Sequence, residues 1–220
     1  SVSCAVPQST GGQPAALVAL KAGGIMIRQR TSNLLFQYWD NVRGSRVAPN
    51  RYEIEPSKIA ALLPETFIVE TGASADYRIR LAGTRICDQF GRELRGCDLL
   101  EFWDAGDREG LSSAIANVVN DGAVAAILVS GAHTDGRRAD FEMTLMPLIH
   151  AGTAINRILG CLTAIDPPMW LGTDILRDFS IAQVDLMWPD GQPLALAHSS
   201  NDVLPAPAVR QFDGEIASDS

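Results

Sequence analysis

At 220 residues the chain has room for one domain with extensions or for two small domains, and an apolar share of 46% is enough for a real core. The net charge of −8 argues against general binding to nucleic acid or to anionic membranes, and no run approaches the roughly 20 apolar residues of a membrane span. The cysteines, at positions 4, 87, 97 and 161, form no Cys-x-x-Cys pair, so reduced thiols in a cytoplasmic protein are expected rather than a disulfide scaffold.

Residues 1–24 hold small residues, Gly11-Gly12 and one apolar patch at 15–20. They lack the basic start and long apolar core of a secretory signal. Residues 1–30 are expected to be a flexible extension, with Met26 a candidate native start. Thr31 or Ser32 can cap a helix. Leu35, Tyr38, Trp39 and Val42 come next at three- and four-residue spacing, and Gly44 ends the helix. Arg28, Arg30, Arg43, Arg46 and Arg51 read as solvated surface rather than a phosphate site. Pro56 suits the first position of a short helix over 56–63, which Pro64 stops.

A first strand is expected at 67–70, then a turn and a second strand from Tyr77. There Tyr77, Ile79 and Leu81 alternate with Arg78, Arg80 and Ala82, giving one apolar and one wet face. Gly83 lets the chain bend, and Gly91 and Gly96 break the stretch after it into one-turn helices. A longer helix is expected over 107–120, with an apolar stripe of Leu111, Ala114, Ile115, Val118 and Val119. Residues 123–133 read as a strand and Asp135-Gly136 as a hairpin turn, because both residues tolerate positive φ. The return strand, 137–150, contains Pro147, where a bulge or strand end is expected. Ala151-Gly152 turns the chain into a last core strand at 155–165. Residues 169–176 and 181–188 are further apolar segments, the second with a strand-like alternation, and a polar tail runs from about Ser199. This order gives an α+β fold with an antiparallel sheet.

Four words stand in order along this pattern. They are Tyr38-Trp39…Arg43-Gly44, Ile59…Leu62-Leu63-Pro64, Tyr77-Arg78…Leu81-Ala82-Gly83-Thr84, and Phe90-Gly91-Arg92-Glu93-Leu94…Gly96. In order and spacing they resemble PAS domains, and more narrowly a divergent bacterial family of stand-alone PAS proteins, over about 31–172. The resemblance implies a five-stranded antiparallel sheet with flanking short helices and an N-terminal helix. It places the last core strand between the first strand and the hairpin. It also implies a domain at 31–166 and a sensory or regulatory role through protein contacts with a signalling partner; the apolar pattern of 167–198 makes that segment an extension expected to pack on the core, and the polar composition of 199–220 a disordered tail.

Between such a sheet and its helices lies space for a small molecule. The expected wall is Tyr77, Ile79, Phe90, Leu94, Phe102, Met143, Leu145 and Leu159, with Arg78 or Arg80 as a polar anchor; the competing reading is a filled core. Haem-binding relatives carry a ligand His on the longer helix, which has none here. Light-sensing relatives carry an Asn-Cys-Arg-Phe-Leu-Gln word where this chain has Gly96-Cys97-Asp98-Leu99-Leu100. Neither haem nor flavin is therefore expected, and no cofactor is identified. His133, His150 and His198 lack metal-ligand spacing, and there is no nucleophile elbow or phosphate loop. No catalytic residue is named and a non-enzymatic module is expected. The alternative is a small enzyme using the same cavity, which would need converging titratable groups there. Finally, Phe36 and Tyr38 point about 200° apart on a helix. The aromatic helix 32–43 is accordingly expected to form a homodimer interface through Leu35, Phe36 and Trp39.

Overall fold

The computed structural model describes residues 27–72, 76–189 and 191. Six strands, β1 (Thr66–Thr71), β2 (Tyr77–Ala82), β3 (Val124–Ala132), β4 (Arg138–Ile149), β5 (Ile155–Ile165) and β6 (Asp178–Met187), form one sheet in the order β2-β1-β5-β4-β3-β6. Every neighbouring pair is antiparallel. The fold is α+β, and β5 lies between β1 and β4 as the resemblance implied. The expected strand count of five is corrected to six. The alternating segment after the core adds β6 to the edge of β3 along nine residue pairs, from Val124↔Met187 to Ala132↔Asp178.

Both faces of the sheet are covered. Helices α2 (Thr84–Phe90) and α3 (Ala105–Asp121), with a 3₁₀ turn at Leu99–Phe102, pack on one face; α1 (Arg30–Arg43) packs on the other. Period-two alternation therefore divides the central strands between two cores. From β5, Ile158 and Leu162 enter the core under α2 and α3, whereas Leu159 and Cys161 enter the core under α1. This corrects Leu159 as a wall residue of the expected cavity: its parity points it to the opposite face.

Helix α1 turns Ser32, Leu35, Trp39 and Arg43 inward at helical spacing. Trp39 donates its indole N–H to Pro147 O at 2.8 Å. The expected cap by Thr31 or Ser32 is replaced by the sheet. Glu142, on β4, accepts from the backbone N–H groups of Arg28 (2.7 Å) and Gln29 (3.1 Å), placing a carboxylate at the positive end of the helix. Ser32 instead donates to Thr163 on β5 at 3.4 Å.

Strand β4 runs through Pro147 rather than ending there; its irregularity lies one step later, between Leu148 and Ile149. The missing N–H is tolerated because β3 pairs with β4 only as far as Leu145. Beyond that point the same side of β4 meets Pro49, whose carbonyl accepts from Ile149 N at 3.0 Å. The Pro147 nitrogen points to that side, where no ladder bond is lost. Of the cysteines, Cys87 and Cys161 are free, while Cys97, expected as a reduced thiol, is disulfide-bonded. Among the described residues no helix is long and apolar enough to cross a membrane. The expectations for residues 1–26, for the tail, and for His198 lie outside the described residues.

Candidate functional site

The site is the space between the inner face of the sheet and the α2 side. Strand alternation delivers Phe67 from β1, Ile79 from β2, Met143 from β4 and Leu162 from β5. Helix α2 contributes Ile86 and Phe90, one turn apart. Gly91, with φ +65°, ends α2 in the left-handed region and lets the chain double back. The return brings in Leu94. Asp98 then accepts from Leu100 N at 2.9 Å, capping the 3₁₀ turn that presents Leu99, Phe102 and Trp103. Phe179 of β6 completes the wall.

The cavity volume is about 30 Å³ and the surface facing it is entirely apolar. That admits a water molecule by size, yet it falls far below the roughly 300–1,000 Å³ of ligand pockets. Four aromatic rings account for much of the closure. Phe90 meets Phe102 edge-on at 4.8 Å and stacks on Phe179 at 4.9 Å, and Trp103 lies 5.8 Å from Phe179. Two buried side-chain atoms, Trp103 Nε1 in this cluster and Gln89 Oε1 on α2, have no hydrogen-bond partner among the described residues. An unpaired buried donor or acceptor is costly and uncommon.

Of the wall residues expected from sequence, Ile79, Phe90, Leu94, Phe102 and Met143 stand on the wall. Tyr77 is buried in the same core but off the wall, its hydroxyl hydrogen-bonded to Ser112 at 3.2 Å; Leu145 also packs in that core without reaching the cavity. Arg78 and Arg80 are corrected outright. Both lie on the wet face of β2, where Arg78 pairs with Asp76 at 3.2 Å and Arg80 with Glu70. A strand cannot direct both Ile79 and its immediate neighbours to one side. Sequence reasoning missed Phe67, Ala82, Ile86, Leu99, Trp103, Leu162 and Phe179. For Phe67 and Leu162 the parity of the strand was a usable signal; for Phe179 it was misleading, because β6 carries a bulge.

The expected dimer residues Leu35 and Trp39 are also corrected: both are completely buried against the chain's own sheet, since α1 needs its apolar stripe to cover β4 and β5. Phe36 is half-buried and stacks on Trp39 with ring centroids 6.0 Å apart.

No titratable group lines the cavity, and no group of His, Cys, Asp and Glu suited to a metal occurs among the described residues. Off the wall, one acid with a shifted pKa is Asp107, near the start of α3. Burial pushes its carboxyl up, helped by the charge of Asp104 and opposed by the Ile181 N–H that it accepts at 3.1 Å. Burial likewise pushes up the Cys87 thiol, which is off the wall. The wall fits neither a haem nor a flavin: it offers no imidazole, no thiol and no polar surface for ring heteroatoms.

The profile of a family described as PAS domain matches residues 27–163. No curated protein matches the chain. Similar solved structures include the Rhodobacter sphaeroides LOV protein, at 15% identity over 48% of this chain and 61% of that one with a TM-score of 0.38. An RNA-binding light-oxygen-voltage receptor is 16% identical over 56% of this chain and 35% of that one, with a TM-score of 0.39. The matched part is less than two thirds of either structure's own length.

Proposed function

The chain belongs to the PAS domain family, and from that premise we propose that it is a sensory or regulatory module that takes a small, mostly apolar molecule into its cavity and acts through protein contacts. The observation that carries the ligand half is the void beside Trp103. Trp103 lines this apolar space, and its buried indole N–H, which does not face the space, has no acceptor among the described residues. A compact molecule with one hydrogen-bond acceptor would satisfy that donor once wall side chains shift, whereas a charged molecule would be left unsolvated. The same wall favours sensing over catalysis, because it supplies no acid, base or nucleophile. Native mass spectrometry of protein freshly purified from its own host tests this. The expected result is a small-molecule adduct that is lost on denaturation; bare protein in every preparation would overturn the ligand reading.

Protein contacts in this reading include a second copy of the chain. Phe36, like Tyr38, is an aromatic of α1 that its own core leaves half-buried, and such residues mark partner surfaces. Phe36→Glu is expected to move the light-scattering mass from dimer to monomer without lowering the melting temperature much. A dimer that survives the substitution, or a wild type already monomeric at tens of micromolar, would exclude this face as the interface.

A further inference from the structure

Building on the reading of the cavity as a ligand site, we infer that β6 is a displaceable strap whose seating on the sheet reports whether the cavity is filled. The strap reaches the cavity through a change of parity. Val184 and Leu186 point inward opposite Ile127 and Ala125. Continued strict alternation would turn residues 182 and 180 inward and leave Phe179 outside. Instead the register shifts at Leu128/Val129, so that Gln183 pairs with Leu128 and Ile181 with Val129, leaving Ala182 as an extra residue. This bulge flips the strand and sends Ile181 and Phe179 inward.

The room for the Phe179 ring comes from β3. It lies over Gly131, where a Cβ atom would stand 3.0 Å from both the ring and Leu176. The ring then stacks on Phe90, with Trp103 and Phe141 flanking it.

Apart from the β3 ladder, the attachments of β6 are concentrated beside that ring. Phe179 makes a backbone bridge to Trp103, and Ile181 N–H donates to the Asp107 carboxylate at 3.1 Å. No strand pairs along the outer edge of β6 among the described residues. The other edge strand, β2, is held on its outer side by backbone bonds between Ile79 and both Cys97 (2.9 Å) and Gly96 (2.7 Å). Every other wall strand has neighbours on both sides. The turn before β6 is anchored independently: Arg137 pairs with Asp174 at 2.7 Å and lies over the Trp170 ring at 4.8 Å.

A cavity of about 30 Å³ cannot take even a single benzene-sized ring unless a wall side chain leaves. Phe179 sits on β6, an edge strand with no strand along its outer side among the described residues. Its exit would break the Trp103 bridge and the Asp107 bond together, leaving β6 on a bulged ladder with its start still anchored. Filling the cavity and seating β6 therefore oppose each other, and by linkage each weakens the other to the same degree.

The test uses the full chain, acetophenone as a compact aromatic probe with one carbonyl acceptor, and amide hydrogen exchange read by mass spectrometry. Acetophenone is expected to speed exchange at residues 178–187 of the wild type about tenfold at saturation, with residues 155–165 unchanged. Phe179→Ala is expected to bind the probe about tenfold more tightly by calorimetry and to lose the probe-induced change in exchange. Phe179→Leu should show the same trend, smaller, and serves if the alanine variant does not fold. Binding without faster exchange at 178–187, or equal affinity in the variants, overturns the strap while leaving the ligand reading intact. No binding to the wild type or to a folded variant overturns both.

Discussion

Leu159→Asp is expected to leave the chain without a stable fold. Leu159 is 1% exposed in the middle of β5, with Ile68 of β1 and Met146 of β4 beside it on the same face and α1 above. A carboxylate there would have apolar neighbours on both strands. Leaving it charged and unpaired, or protonating it and still losing the leucine packing, costs several kcal/mol, against a total stability of roughly 5–15 kcal/mol for a typical domain. The soluble yield and the circular-dichroism melt report the effect. Leu159→Met, which keeps volume and polarity, is the control and should cost less than about 1.5 kcal/mol. An aspartate variant that melts with the wild type would mean that this residue does not face the α1 core.

Gly83→Ala is expected to be strongly damaging, because among the described glycines a Cβ here meets backbone at the shortest distance. Its φ of −67° is one any residue adopts, so conformational freedom is not the reason for glycine. The reason is space. A Cβ at this position would stand 2.2 Å from Leu63 O, 2.3 Å from Pro64 O and 2.4 Å from Pro64 C, all backbone atoms that no rotamer change can clear. The approach is pinned by the Gly83 N–H, which donates to Thr66 O at 2.8 Å. Accommodating the methyl means pushing the 3₁₀ turn at Leu63–Glu65 off the start of α2, at a cost of about 1–3 kcal/mol or more. The melting temperature should fall clearly, and hydrogen exchange should rise in α2 before it rises in β5. An unchanged melt would show that the two segments are not in contact.

The order of elements was legible because its signals are local. Asp135-Gly136 between two apolar runs, the stripe of α3 and the alternation of β2 each need only a few neighbouring residues. Which face a central strand presents is different. Leu159 and Leu162 are equally apolar, and only the register of β5 against β1 and β4 sends one under α1 and the other into the cavity. The alternation of β2 did contain the answer for Arg78 and Arg80: a wet face cannot also be a cavity wall. The aromatic content of α1 indicated a surface to be covered but not by what. Its own sheet absorbs Leu35 and Trp39, a tertiary fact with no sequence marker. Phe179 was hidden by one inserted residue, Ala182, because a bulge inverts the pattern on which strand reading depends.

The placement of β5 between β1 and β4 also governs how the chain can be made. The ribosome releases β1 and β2 long before β5, and until β5 emerges β1 has a neighbour on one side only. The seat of α1 is equally delayed, since the carbonyl that receives Trp39 belongs to Pro147 and its floor includes Leu159 and Cys161. A nascent chain stopped before residue 155 would hold two separate two-stranded ribbons, each marginal in water, with the apolar side chains of β1 uncovered. Completion of the sheet thus waits until β5 and β6 have emerged. The vulnerable period is the interval during which residues 66–150 are outside the ribosome and β5 is not.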